Sequence, residues 1–216
     1  MLTRTETYDG FCSHIYVSRE TFEKLSVFHK TLLKWQSSIN LISQSTTAII
    51  WQRHILDSAQ LFKFVKDVNG NILDFGSGAG FPGLVLAIMG KKNIHLVESD
   101  HKKCVFLKEI ALLTETDITI HNCRIENLIS INVELVTCRA LAPLNKLIDY
   151  VETYVRKSSN YNQDLPKLLF LKGKSYQNEL LQLKKNINFK EFPSITDKES
   201  RILYVNNLDT LDVIDE

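Results

Sequence analysis

The apolar positions of this chain follow two different periods. Between Ser18 and Asn40, Phe22, Leu25, Phe28, Leu32, Trp35 and Ile39 recur every three or four residues, which makes one apolar stripe on an α-helix. Ser18 suits the N-cap and Glu20 the first turn, where a carboxylate complements the helix dipole. A second segment, 46–67, sets Ile50, His54, Ile55, Ser58, Leu61, Phe62 and Val65 around a similar stripe. Neither segment supplies a strand, so residues 1–68 read as a helical cap on the rest of the chain.

From Asn71 the period shortens. Apolar runs at 71–75, 94–98, 118–122, 134–139 and 167–172 alternate with helical stretches at 82–90, 101–114, 144–156 and 175–186. Strands alternating with helices predict an α/β fold with a parallel, doubly wound sheet. The first strands are rich in Val, Ile and Leu, as strands covered on both faces are. Two last runs, 189–193 and 201–205, have only "SITDKES" between them. No helix fits there, so the two should pair antiparallel. Residues 69–216 thus read as one Rossmann-like domain, packed with the cap as one compact unit. The stretch 157–166 reads as a polar loop, and the acidic end 206–216 as a frayed tail or a short surface helix.

Between the first strand and its helix lies "LDFGSGAGFPG", 73–83. A strand, a glycine-rich turn and a helix form the nucleotide-binding corner of a doubly wound fold. The dinucleotide fingerprint needs G-x-G-x-x-G. Here the glycines fall at Gly76, Gly78 and Gly80, and Phe81 holds the place of the third. Pro82 then removes one of the N–H groups a pyrophosphate would want at the helix start. The turn therefore suits a ligand that needs close backbone approach without phosphate, such as the methionine part of S-adenosylmethionine. A nicotinamide cofactor and an unliganded tight turn are the alternatives. Glu98 ends the next strand, twenty-two residues after Gly76. An acid there can accept both ribose hydroxyls of an adenosine.

The ordered set "W…NLIS" (Trp35, Asn40 to Ser43), "RHILDSA" (53–59), "LDFGSGAGFPG", "LVESDHKKCVFL" (96–107), "CRIENL" (123–128), "CRALAPL" (138–144) and "FLKG" (170–173) resembles the bacterial 16S rRNA guanine-N7 methyltransferases, the glucose-inhibited division protein B family. One departure is Gln36, where that family usually has Asn. The resemblance implies a class I S-adenosylmethionine-dependent methyltransferase fold with an N-terminal helical part and a last strand that runs antiparallel. It implies cofactor contacts at Gly76 and Phe81, at Ile125 and Glu126 after the third strand, and at Arg139 after the fourth; Gly78 and Glu98 join them from the loop and strand pattern. The partner it implies is 16S rRNA or a small-subunit assembly intermediate.

Transfer to guanine N7 needs no general base, because the lone pair is free and no proton leaves. No catalytic dyad is expected, and what remains is to hold the reacting atoms in line, roughly 3–3.5 Å apart. An Arg fork on guanine O6 and N7, a common base contact, would occupy that lone pair. Arg139 is therefore expected on the cofactor carboxylate or an RNA phosphate, the alternative being a structural ion pair at a strand end. An unstacked guanine also calls for a basic rim. Lys91, Lys92, Lys102, Lys103, Lys172 and Lys174 are the candidates, with Lys172 the best placed at the end of the fifth strand. In the cap, Arg53 and Asp57 are i,i+4 neighbours, as are His54 and Ser58. They read as packing and hydrogen-bonding groups, with His54 a candidate for the substrate cleft.

Composition narrows the classes without adding a motif. The 216 residues are 44% apolar and 24% charged with a formal charge of +1, so no whole-protein basic field draws in nucleic acid and any polyanion site is local. No apolar run approaches the roughly 20 residues a membrane span needs, and the first residues lack the apolar core of a secretory signal. Cys12, Cys104, Cys123 and Cys138 have no zinc spacing and read as reduced cytosolic thiols, so a cytoplasmic protein without a metal is expected; the acidic tail gives no dimer signal, and a monomer is expected. Cys138 could be imagined as a nucleophile on a pyrimidine ring, but no base lies nearby in sequence. Methylation of a small molecule or protein, a non-catalytic binding module and an oxidoreductase are the remaining alternatives.

Overall fold

The computed structural model describes residues 4–157, 165–183 and 187–206. After a 3₁₀ turn at Arg4–Glu6 come α1 (Tyr8–Cys12) and α2 (Arg19–Gln36). The Ser18 side chain caps α2 by accepting from Thr21 N at 3.1 Å. Leu25, Phe28 and Leu32 of its stripe are fully buried, with Phe22, Trp35 and Ile39 packed against them.

The second cap segment is not one helix. It breaks into a 3₁₀ turn at Gln44–Ile49, a π-helical segment at Trp51–Leu56, then α3 (Asp57–Ala59) and α4 (Phe62–Val65). Thr46, Thr47, Ile49 and Ile50 start it badly, since β-branched side chains lose rotamer freedom in a helix. The π segment widens the turn, so i and i+4 side chains no longer align. Arg53 accordingly pairs with Asp197 at 2.7 Å, not with Asp57. Ser58 does reach its neighbour, donating to the His54 carbonyl at 2.7 Å.

The remaining elements are β1 (Asn71–Phe75), α5 (Gly83–Ile88), β2 (Ile94–Glu98), α6 (His101–Leu113), β3 (Thr119–Asn122), β4 (Val133–Arg139), α7 (Leu144–Arg156), β5 (Lys167–Lys172), α8 (Tyr176–Leu181), β6 (Lys190–Pro193) and β7 (Arg201–Val205). They match the expected order within a residue or two, apart from α8, which is shorter. Most of the polar loop and nearly all of the acidic end lie outside the described residues. The seven strands lie in the order β3-β2-β1-β4-β5-β7-β6. The first five are parallel, while β7 enters antiparallel between β5 and β6. The order reverses between β1 and β4, the switch point where a doubly wound sheet opens a crevice at its strand tips.

Strand alternation divides the core. Ile72, Leu96, Leu135, Leu169 and Ile202 face one cluster, shared with α2, the 51–56 segment, α5 and α6. Leu73, Phe75, Val97, Val136, Phe170 and Leu203 face the other, covered by α7. The cap thus shares its core with one face of the sheet. Phe28 sits at that junction, its ring 5.2 Å from Phe81 and 6.2 Å from Phe106. Phe28→Ala should lower the unfolding free energy by about 3–5 kcal/mol, read from the midpoint of a urea titration. A loss under about 1 kcal/mol would mean that the cap does not brace the sheet.

Candidate functional site

The turn after β1 is built for backbone. Gly76 has φ +64° and Gly80 φ +92°, conformations that favour glycine, and a Cβ on Gly76 would lie 2.5 Å from Leu141 Cδ1. Gly80 N donates to Ser77 O at 2.7 Å. Glu98, at the tip of β2, accepts from Gly78 N at 2.9 Å with one oxygen and from Asp100 N at 2.7 Å with the other. That fixes the carboxylate beside the turn while each oxygen keeps a lone pair for a ligand hydroxyl. Pro82 stands at the N-cap of α5, where its missing N–H costs nothing. The close packing of helix on strand is done by Gly83, where a Cβ would meet Leu96 Cδ2 at 2.5 Å and Asp74 Oδ2 at 2.7 Å.

Beside this turn a cavity of about 810 Å³ opens at the strand tips. Gly76, Gly78, Phe81, Glu98, Ile125, Glu126, Arg139, His54 and Lys172 all line it, so the fold gathers the whole predicted set in one place. Several of them act differently from expectation. The Phe81 ring is buried against Phe28 and, at 5.0 Å, against His54, which leaves mainly its backbone for a ligand. Ile125 and Glu126 begin a 3₁₀ turn that lines the cavity after β3.

Arg139 is already engaged by protein groups. It donates to the Arg53 carbonyl at 2.8 Å and to Asp57 Oδ2 at 3.0 Å, and its second terminal nitrogen faces His54 Nδ1. Its guanidinium carbon lies 5.2 Å from the centre of the Phe81 ring. The ion-pair reading of Arg139 is therefore realised, and two of its five N–H groups remain for a ligand. Because Arg only donates, His54 Nδ1 must accept, which puts the ring proton on Nε2, 2.8 Å from Thr46 Oγ1. Thr46 in turn donates to Ser43 O at 2.8 Å. Burial, Arg139 and Arg53 push the His54 pKa down to about 3, so the ring stays neutral at physiological pH.

Asp57 reaches further. Its Oδ1 accepts from Thr196 Oγ1 at 2.6 Å and Gln60 Nε2 at 2.9 Å, which ties the β6–β7 loop to the cavity wall. Gln36, at the departure from the family pattern, accepts from Leu41 N and Ile42 N at 3.0 Å each and donates to Ile42 O at 2.8 Å. That pins the "NLIS" segment whose Leu41, Ile42 and Ser43 line the cavity.

The lysines divide. Lys172 is buried, pairs with Glu179 at 2.6 Å and donates to the Ala142 carbonyl at 2.9 Å, so it is not a free rim cation. Lys103 lines the cavity. Lys91 and Lys92 precede β2 and so sit at the opposite end of the sheet, where Lys91 donates to the Val68 carbonyl. Cys138 is a buried thiol whose pKa burial pushes far up, which removes it as a nucleophile. Among the described residues no cluster of His, Cys, Asp or Glu could hold a metal ion.

A glycine turn, an acid at the next strand tip and a cap-braced arginine at the switch point coincide with a family match over residues 21–201, to the family described as rRNA small subunit methyltransferase G (GidB). The chain belongs to this family. Among its similar relatives, the ribosomal RNA small subunit methyltransferases G of Paramagnetospirillum magneticum and of Orientia tsutsugamushi strain Ikeda are 43% and 42% identical. The alignments cover 89% of this chain and 91% of the first, and 93% and 98% for the second. The enzyme of that name from Rickettsia prowazekii is 41% identical over 89% of this chain and 97% of its own. Solved structures share the fold at low identity. A ribosomal protein L11 methylase from Lactobacillus delbrueckii subsp. bulgaricus has a TM-score of 0.55 at 13% identity, covering 72% of this chain and 78% of its own. The magnesium protoporphyrin IX methyltransferase of Synechocystis PCC 6803, solved with bound SAM, has a TM-score of 0.52 at 14% identity, covering 88% and 97%. The GidB chain therefore has the class I methyltransferase fold.

One buried group of this GidB chain escaped the sequence reading. Asp74 has no exposed surface; its Oδ2 accepts from Gly83 N at 3.0 Å, and its Oδ1 has no partner among the described residues. An acid inside the apolar run "NILDF" was the available signal. Burial raises its pKa from 3.8 to about 7. The folded protein therefore keeps a proton that the unfolded chain has lost across this window, and the stability linked to it is full below about pH 4 and lost as pH rises to about 7. Asp74→Asn should remove this decline from a plot of unfolding free energy against pH. An unchanged slope would show that Asp74 ionises normally in the fold.

Proposed function

We propose that the protein is an S-adenosylmethionine-dependent methyltransferase that acts on N7 of a guanine in the small-subunit ribosomal RNA. The observation that carries the reading is the glycine turn, whose Gly76, Ser77, Gly78, Ala79 and Phe81 line the cavity with Glu98 anchored beside them. The site fits the cofactor: Gly76, Gly78 and the Phe81 backbone would hold its methionine part, Glu98 its ribose, and Ile125 with Glu126 its adenine. When bound, S-adenosylmethionine would supply an electrophilic methyl carbon to the N7 lone pair, its C–S bond breaking to leave a thioether and the purine taking the positive charge.

The chain's own groups then serve position and charge. No residue has a proton to take. The neutral His54 lies beside the Arg139 guanidinium without adding a charge. Asp57 offsets the charge of Arg139, which keeps the site tolerant of the cation that moves from cofactor to purine. Arg139 is a positioning residue: it joins the tip of β4 to the 51–57 segment, with two N–H groups left for the cofactor carboxylate or a phosphate. We further infer a monomer in the cytoplasm that takes a small-subunit assembly intermediate as substrate. Arg53, Arg139 and Lys172 of the cavity wall are paired with acids, so ribosomal proteins would add shape and contact.

Tritiated S-adenosylmethionine offered with 30S particles, free 16S rRNA or bulk metabolites should label RNA, as N7-methylguanine after nuclease digestion. Label confined to metabolites or protein would reject the reading. In the same assay Arg139→Ala should slow single-turnover transfer more than 10-fold, as misplacement of reacting groups does. It should also cost about 3 kcal/mol of stability, since it leaves Asp57 buried without its partner. Unchanged transfer and cofactor affinity together would end the positioning role.

A further inference from the structure

Lys172 is an odd cation for this site. A free ammonium beside a purine that is becoming positive would oppose the reaction, yet Lys172 lines the cavity and is only 8% exposed. Its surroundings resolve the conflict. Glu179 Oε2 lies 2.6 Å from Nζ, and the same carboxylate accepts from Leu144 N at 2.8 Å and from Ser175 Oγ at 2.7 Å. The pair is neutral overall and fixed at both ends. A second N–H of Lys172 goes to the Ala142 carbonyl at 2.9 Å. An ammonium has three donors, so one remains, oriented by the other two.

Sheet register says where that donor lies. Phe75 of β1 aligns with Cys138 of β4, and Arg139 aligns with Leu171 of β5. Gly76 is therefore level with Arg139 and Leu171, and Lys172 lies two strands over and one residue further along. At about 4.8 Å per strand, that is about 10 Å across the sheet from Gly76. The connecting chain is tight. Ala140 turns with φ +54°, Leu141 packs on Gly76, and Ala142 holds Lys172. A cofactor over the β1 tip thus leaves the β4–β5 tips for the acceptor base, and Lys172 stands there.

We propose that Lys172, held by Glu179 and the Ala142 carbonyl, donates its remaining N–H to guanine O6 and so selects guanine over adenine. This rests on the proposed function. A lysine head can only donate, and the Hoogsteen edge of guanine offers O6 beside N7, whereas adenine puts its own N6 donors there. Adenine would set donor against donor in a closed site, and neither group would be satisfied. Contact through O6 alone leaves the N7 lone pair open to methyl. A phosphate is a poor ligand for the same atom, because it would bring a second anion against Glu179.

The test pairs a substrate change with a protein change. Small-subunit particles are assembled with 2-aminopurine at the target position, a base that keeps N7 and lacks O6. Wild-type kcat/KM should favour guanine by about 10- to 100-fold, the worth of one hydrogen bond to a charged group. In Lys172→Met/Glu179→Gln, which removes both charges together, the guanine rate should fall to the 2-aminopurine rate, and the latter should stay near the wild-type value. Equal losses on both bases would make Lys172 a mere tether of the 140–143 loop and overturn the proposal. So would a wild-type enzyme that shows no preference between the two bases, a result that needs no variant. If the double variant fails to fold, as judged by circular dichroism, the wild-type comparison of guanine with 2-aminopurine alone decides. Absence of any transfer to guanine by the wild-type protein would instead remove the proposed function itself.

Discussion

The turn after β1 has no room for a side chain at two of its glycines: a Cβ on Gly76 would meet Leu141 at 2.5 Å, and one on Gly80 would meet Leu84 Cβ at 2.8 Å. Much of the surrounding architecture is a consequence. A backbone that must stay bare needs its amides directed by something else, and Glu98 does this through Gly78 N. A helix that begins straight after such a turn must lie close on the strand, which requires Gly83 over Leu96 and puts Asp74 out of reach of water. Leu141 can approach Gly76 only because the chain reverses at Ala140 with φ +54°. Strain at a single residue of this kind is tolerated where neighbouring structure determines it. Here it is set between the Arg139 network and the Lys172–Glu179 pair.

The cap is part of the site rather than an addition to it. Asp57 holds Arg139 on one side and Thr196 on the other, so one carboxylate links the cap, the sheet tip and the β6–β7 loop. His54 continues the link to Ser43 through Thr46. The antiparallel entry of β7 matters for this reason: it brings Asp197 and Thr196 to the cavity end of the sheet, where Arg53 and Asp57 meet them.

The parts of the structure legible in the sequence were those set by local period. The five parallel strands, the closing antiparallel pair, the Ser18 cap and the stripe of α2 all come from side-chain alternation or helical spacing and from single polar punctuators. The glycine spacing and Glu98 located the cavity for the same reason, because a strand tip fixes where its next residue lies. What stayed hidden depends on partners far along the chain. The π segment at 51–56 sets Arg53 on Asp197 and Asp57 on Arg139, pairs separated by 144 and 82 residues. Glu179, which turns Lys172 from a rim cation into a neutralised donor, lies on a different element, and nothing in "FLKG" announces it. Asp74 interrupts an apolar run, and only the packing of α5 makes it a buried acid.

The function depends on what rests against the bare turn. A crystal structure of the protein with S-adenosylhomocysteine would settle it most directly. The amino-acid end should lie along Gly76–Gly80, the ribose hydroxyls on Glu98, and the sulfur facing the β4–β5 tips, leaving space beside Lys172 for a purine. The nucleoside bound elsewhere, or the turn sealed by Leu141 with the ligand excluded, would contradict the proposed chemistry.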